Sequence, residues 1–105
     1  MTNKTCLITG GNAGIGKQAA IQLAQLGFQV FIGVRNMERG QRAVFEIKSK
    51  SGKNDVELLL IDMSSKESIL TASQVLKKQI EKLDVLIHNA ADFDIARKQA
   101  VKSVD

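Results

Sequence analysis

Tryptophan and tyrosine are missing from the 105 residues, and phenylalanine occurs only four times. A surface that binds nucleic acid by stacking bases therefore has little aromatic platform to work with. Cysteine occurs once, as Cys6, so no internal disulfide can form, and its place inside a β-prone run marks a buried, inert thiol. No apolar run approaches the roughly 20 residues that span a bilayer. The amino terminus, MTNKTCLITG, lacks the apolar core and small-residue cleavage site of a secretory leader, so the expected location is cytoplasmic, with no membrane partner. Internal repeats and low-complexity stretches are absent as well.

What is present is ordinary for a soluble globular protein: 44% hydrophobic and 25% charged residues. A chain of this length closes one modest core, not two. The formal net charge of +4 would suit an anionic partner, but the lysines from Lys48 to Lys82 are interleaved with acids on expected helix faces. That is the pattern of a solvated surface, so no nucleic-acid partner is expected.

Periodicity orders the chain. Thr5 to Thr9, TCLIT, reads as a strand broken by a glycine cluster. From Ile15 the apolar residues Ile15, Ala19, Ala20, Leu23, Ala24 and Leu26 share one helix face, with Gly27 placed for the C-terminal cap. Phe28 to Val34 is a second strand, and Met37 to Ser51 a second helix before Gly52. Val56 to Asp62, VELLLID, reads as a strand buried on both faces. Ser64 and Glu67 form a capping box for a third helix with the inner face Ile69, Ala72, Leu76 and Ile80, and Leu83 to Asn89 is a fourth strand. The alternation β-α-β-α-β-α-β without hairpin signals predicts an α/β fold, half of a doubly wound parallel sheet with right-handed crossovers.

The stretch TGGNAGIGKQ, Thr9 to Gln18, carries the chemistry. From Gly11 it reads G-x-x-x-x-G-K, the start of a nucleoside triphosphate loop, but Gln18 stands where that loop needs a hydroxyl for magnesium. From Gly14 it reads G-x-G-x-x-A, but the glycine lies too far beyond the strand for the usual dinucleotide turn. The spacing T-G-x-x-x-G-x-G fits better: Thr9, Gly10, Gly14 and Gly16 leave the strand, make a wider turn and enter the first helix at its N-terminus. There free N–H groups and the positive dipole end favour a pyrophosphate.

With TGGNAGIG, GVRN, LLLIDMS and DVLIHNAA in order over residues 4 to 91, the sequence resembles the short-chain dehydrogenase/reductase family, in look nearest its carbonyl reductase and retinol dehydrogenase branches. The resemblance implies a Rossmann-type sheet of order 3-2-1-4, truncated after the fourth strand, with residues 1–91 as an NADP(H)-binding half-domain and 92–105 as a tail or short helix. It assigns Gly10, Asn12, Gly14, Ile15 and Gly16 to the pyrophosphate turn, Ile15 as helix packing with a nearby backbone contact. It assigns Arg35 and Asn36 to the ribose-recognition turn. Asp62 and Met63 fall at the adenine, where Asp62 alternatively caps the next helix. Asn89, Ala90 and Ala91 fall beside the adenosine ribose, with the Asn89 amide bracing the sheet. His88, in place of the family's first asparagine, reads as structural.

A NAD enzyme offers a carboxylate to the ribose 2′-hydroxyl at the end of the second strand; Val34 and Arg35 stand there instead. A guanidinium at that turn makes forked bonds to a 2′-phosphate, so NADP(H) is the expected cofactor, with Lys17 and Arg39 as possible auxiliary cations. Catalysis in the family requires a Tyr-x-x-x-Lys pair, and the chain has no tyrosine. The expectation is the cofactor-binding part of an oxidoreductase acting on a carbonyl or alcohol, inactive alone, with no catalytic or metal-ligating residue of its own. The alternative is a non-catalytic nucleotide- or partner-binding module. In the family order the fourth strand is interior, so here its outer edge is bare, guarded only by Asp84, and self-association through it is expected.

Overall fold

The computed structural model describes residues 4–10, 12 and 14–89. Seven elements follow in the expected order: β1 (Thr5–Thr9), α1 (Gly14–Gln25), β2 (Gln29–Val34), α2 (Met37–Ser51), β3 (Val56–Leu60), α3 (Lys66–Gln79) and β4 (Val85–His88). All pairings are parallel, and the strands lie side by side as β3-β2-β1-β4. The predicted Rossmann-type order is therefore the observed one.

Alternate residues of the strands feed two apolar layers of one domain, one on each face of the single sheet. On one face Cys6, Ile8, Val30, Ile32 and Val56 pack against Ala20, Ile21 and Ala24 of α1 and Ala43 and Ile47 of α2. On the other, Leu7, Phe31 and Leu59, with Ile61 beyond β3, pack against Ile69, Ala72, Leu76 and Ile80 at the inner face of α3. Helices thus cover both faces, as the period-2 alternation of a central strand demands.

Local chemistry sets the ends. Gly27 (φ 95°) closes α1: its N–H reaches the Ala24 carbonyl at 2.9 Å and the Phe28 N–H reaches Leu23 at 3.1 Å, the two bonds of a Schellman cap. Asn36 caps α2, its side chain accepting from Arg39 N at 2.8 Å, and Gly52 ends it in a left-handed turn.

Three expectations need correction. The cap of α3 is Ser65, which accepts from Ser68 N; Ser64 is instead engaged with Asp62, so the Ser64–Glu67 capping box does not form. β3 is not buried on both faces: it is an edge strand, and Glu57 and Leu60 are exposed. β3 and β4 are also shorter than predicted, although Ile61 N still bonds Val34 O, and Asp84 N and Asn89 N still bond Thr5 O and Thr9 O, at 2.9–3.0 Å.

Candidate cofactor site

The C-terminal ends of the parallel strands meet the N-termini of α1 and α2 at one end of the sheet. The turn after β1 starts from a point fixed on both sides. Gly10 N donates to the Gly33 carbonyl of β2 at 2.7 Å, and the Gly10 carbonyl accepts from Asn89 Nδ2 at 3.0 Å. Gly10 has φ 71° and Gly14 φ 59°, the left-handed region in which a Cβ is strained.

Gly16 is buried at the start of α1. A Cβ there would lie 2.5 Å from Asn89 Nδ2 and 2.9 Å from the Gly10 carbonyl oxygen. The glycine spacing therefore serves two ends: it leaves backbone N–H groups bare at a helix N-terminus, and it admits the amide of Asn89 between turn and helix. Asn89 ties turn to sheet, its Nδ2 donating to Gly10 O and its N–H to Thr9 O, both at 3.0 Å. Its neighbour His88 is structural too: its Nδ1 lies 2.7 Å from the hydroxyl of buried Thr9.

Asn12 sits half-buried in the turn. Ile15, expected to pack on its helix, is 81% exposed instead, because it occupies the outer side of the first turn, above the stripe of buried residues that starts at Gly16. At the end of β2, Arg35 is exposed and forms no ion pair with any described residue. Asn36 spends its side-chain oxygen on the α2 cap. The Asp62 carboxylate accepts from Ser64 N at 3.0 Å and Ser64 Oγ at 2.7 Å, and Asp62 N donates to Ser68 Oγ at 2.7 Å. Asp62 thus builds the turn that precedes α3 and does not cap the helix, a place taken by Ser65, with Met63 exposed beside it. Ala90 and Ala91, and the expected tail 92–105, lie outside the described residues.

The ammonium of Lys17 is engaged with α2. It bonds Glu46 Oε1 at 2.8 Å, while Lys50 takes Glu46 Oε2 at 2.9 Å. The two ammonium groups hold the Glu46 carboxyl down to about 2. Sequence reasoning missed this link, because helix periodicity does not reveal which residues of α1 and α2 face one another. It also missed Gly33, whose added Cβ would meet Ile61 Cγ2 at 2.9 Å; a glycine inside a strand was the available signal. Among the described residues no group of three or more His, Cys, Asp or Glu is placed to hold a metal, and no helix is long and apolar enough to cross a membrane.

The residues present fit a dinucleotide phosphate: bare N–H groups at α1, left-handed glycines below them, a free guanidinium at the end of β2, and no carboxylate within that β2 turn. The short chain dehydrogenase family profile matches residues 4–104. Dehydrogenase/reductase SDR family member 13 of Homo sapiens is 37% identical over 90 residues, 86% of this chain and 24% of its own length. Retinol dehydrogenase 13 of Mus musculus is 36% identical over 84% of this chain and 26% of its own length. The chain thus spans about a quarter of the curated relatives it matches. Among solved structures, menthone neomenthol reductase from Mentha piperita superposes with a TM-score of 0.80 at 25% identity, over 99% of this chain and 39% of that one. The RhlG/NADP active-site complex of Pseudomonas aeruginosa does so at 0.79 and 28%, over 96% and 40%.

Proposed function

Because the chain belongs to the short-chain dehydrogenase family, we propose that it is the NADP(H)-binding part of an oxidoreductase acting on a carbonyl or alcohol. The observation that carries the choice of cofactor is Arg35, exposed at the end of β2 with no carboxylate within its turn. A guanidinium there makes charge-assisted, forked bonds to a 2′-phosphate, and an acid would repel one. The N–H groups at Gly14, Ile15 and Gly16 hold the pyrophosphate, with Asn12 beside it. Asn36, Asp62 and Met63 bound the adenosine, and Asn89 fixes the turn from behind, with Ala90 and Ala91 following at the ribose.

When bound, the nicotinamide supplies or accepts the hydride. The 105 residues contain no tyrosine, so the family's Tyr-x-x-x-Lys pair is not among them, and the chain as given should bind cofactor without turning over carbonyl substrates. Isothermal titration with NADPH, NADH and ATP tests the reading. NADPH binding tighter than NADH is expected; magnesium-dependent ATP binding with no dinucleotide binding would overturn it in favour of a triphosphate loop.

The chain should also self-associate through β4. Among the described residues the outer edge of β4 has no partner strand, and Leu86 beside it is 62% exposed. The expected guard is spent elsewhere: Asp84 Oδ2 accepts from Thr5 N at 2.8 Å, which turns the carboxylate toward β1. Light scattering with amide exchange tests this. A monomer whose β4 amides exchange freely would refute it.

A further inference from the structure

Glu46 holds two lysines where one would satisfy its charge. Its Oε1 takes Lys17 from α1, across the helix pair, at 2.8 Å; its Oε2 takes Lys50, one turn along α2, at 2.9 Å. The Lys17 and Glu46 side chains are 24% and 36% exposed, so water competes with the bridge and the pair exchanges without a large desolvation cost.

Lys17 is three residues into α1 from Gly14, about 4.5 Å below the helix N-terminus at 1.5 Å per residue. A helical side chain leaves its Cα leaning toward the N-terminus. The Cα–Cβ bond of Lys17 therefore leans toward the glycine turn, while its ammonium is held by Glu46. A four-carbon stem spans that rise on rotation of its outer torsions. Such a move strands no carboxylate, because Lys50 remains on Glu46.

We propose that Lys17 is a reserve cation for the phosphates of the bound dinucleotide, held by Glu46 and released to the ligand because Lys50 takes its place. The proposal rests on the assignment of the glycine turn to a dinucleotide. It makes Glu46 and Lys50 determinants of affinity although neither is placed at the phosphate end. Lys50→Met leaves Glu46 with Lys17 alone and tightens the hold; Glu46→Gln loosens it.

The test is a set of calorimetric titrations of the full chain with NADPH and NADH at low and high salt, with circular dichroism as a control for folding. Lys17→Met is expected to weaken NADPH binding about fivefold at low salt, in line with an exposed charge-assisted contact, and less at high salt. Glu46→Gln should tighten it and Lys50→Met weaken it, each about two- to threefold, the scale of a partly exposed ion pair. In a Lys17→Met background both effects should vanish, which separates exchange of Lys17 from a general change in surface charge. Loss confined to NADPH places Lys17 at the 2′-phosphate; equal loss for NADH places it at the pyrophosphate. If Glu46→Gln and Lys50→Met act identically with and without Lys17, or Lys17→Met leaves both affinities intact in a chain that binds NADPH, the bridge is a helix clamp only. A wild-type chain that binds neither dinucleotide would instead remove the assignment beneath the proposal.

Discussion

Replacing Gly16 by alanine should destabilise the chain although alanine is the better helix former. The new methyl would stand 2.5 Å from Asn89 Nδ2 and 2.9 Å from the Gly10 carbonyl. The amide must move, and moving it breaks the 3.0 Å bond to Gly10. A partly buried carbonyl left without its donor costs about 1–2 kcal/mol, and residual crowding against the Gly10 oxygen adds about 1 kcal/mol. The helix-propensity gain of alanine returns about 0.8–1 kcal/mol. The net loss is about 1–2 kcal/mol, read as a lower urea midpoint at unchanged slope. Asn89→Ala removes the same bond directly and should cost about 1–2 kcal/mol. The decisive measurement is the double variant. With the amide gone its clash and its hydrogen bond are lost only once and the methyl meets the Gly10 oxygen alone, so the pair should cost about as much as one change alone, a coupling of at least about 1 kcal/mol. Strictly additive losses would show that Gly16 and Asn89 do not share this space, and would refute the account of why glycine stands at 16.

Arg35→Ala should weaken NADPH by about 1.5–3 kcal/mol, as loss of a charge-assisted bond does, and NADH hardly at all; equal losses in calorimetry would remove Arg35 from the 2′-phosphate. The Thr5 N–H donated to Asp84, with Lys82 beside it, lowers the Asp84 pKa below its ordinary value. The stabilisation is therefore complete above the unfolded-chain value of roughly 4 and is lost as pH falls through the folded one. Asp84→Asn should flatten the acid limb of urea midpoint against pH, and an unchanged limb would refute it. Burial pushes the Cys6 thiol up to about 11, so a thiol reagent at pH 8 should label it only as fast as the chain unfolds; rapid labelling of the folded protein would contradict its place in the core.

The order of elements was legible because each segment keeps one period. VELLL and TCLIT cannot bury a helix stripe, and Ile69, Ala72, Leu76 and Ile80 cannot line one face of a strand. Gly27 and Gly52 were legible as boundaries because turn chemistry is local, whereas Asn36, read only as part of a ribose turn, proved to be the cap of α2. What stayed hidden depends on the third dimension. Ser64 and Ser65 are equally good caps in one dimension, and the choice falls to Ser65 because the Asp62 carboxylate claims Ser64. Apolar Leu60 is exposed because β3 lies at the sheet edge, which its composition does not disclose. Lys17 is legible as a basic residue near a phosphate turn; its capture by Glu46, 29 positions away, is a property of how two helices cross.

The bonds around Gly10 would give the proposed phosphate turn a stiff base. Pairing continues past the strands on both sides of β1: Gly10 N to Gly33 O toward β2, and Asn89 N to Thr9 O toward β4. The Asn89 side chain then closes on the Gly10 carbonyl, and the Thr9 hydroxyl meets His88 across the same pair of strands. The first residue of the turn is thus tied to the sheet, and its left-handed conformation begins the change of direction. On the proposed assignment, N–H groups carried on such a base are aimed before the anion arrives, and ordering them does not have to be repaid from the binding energy. It follows that Asn89→Ala should weaken dinucleotide binding even at temperatures where the chain remains fully folded, through a loss of preorganisation. Calorimetry should register the loss as a less favourable entropy of binding, with NADPH and NADH affected alike because both carry the pyrophosphate. An Asn89→Ala chain that stays folded and binds both cofactors as the wild type does would show that the turn keeps its shape without the brace.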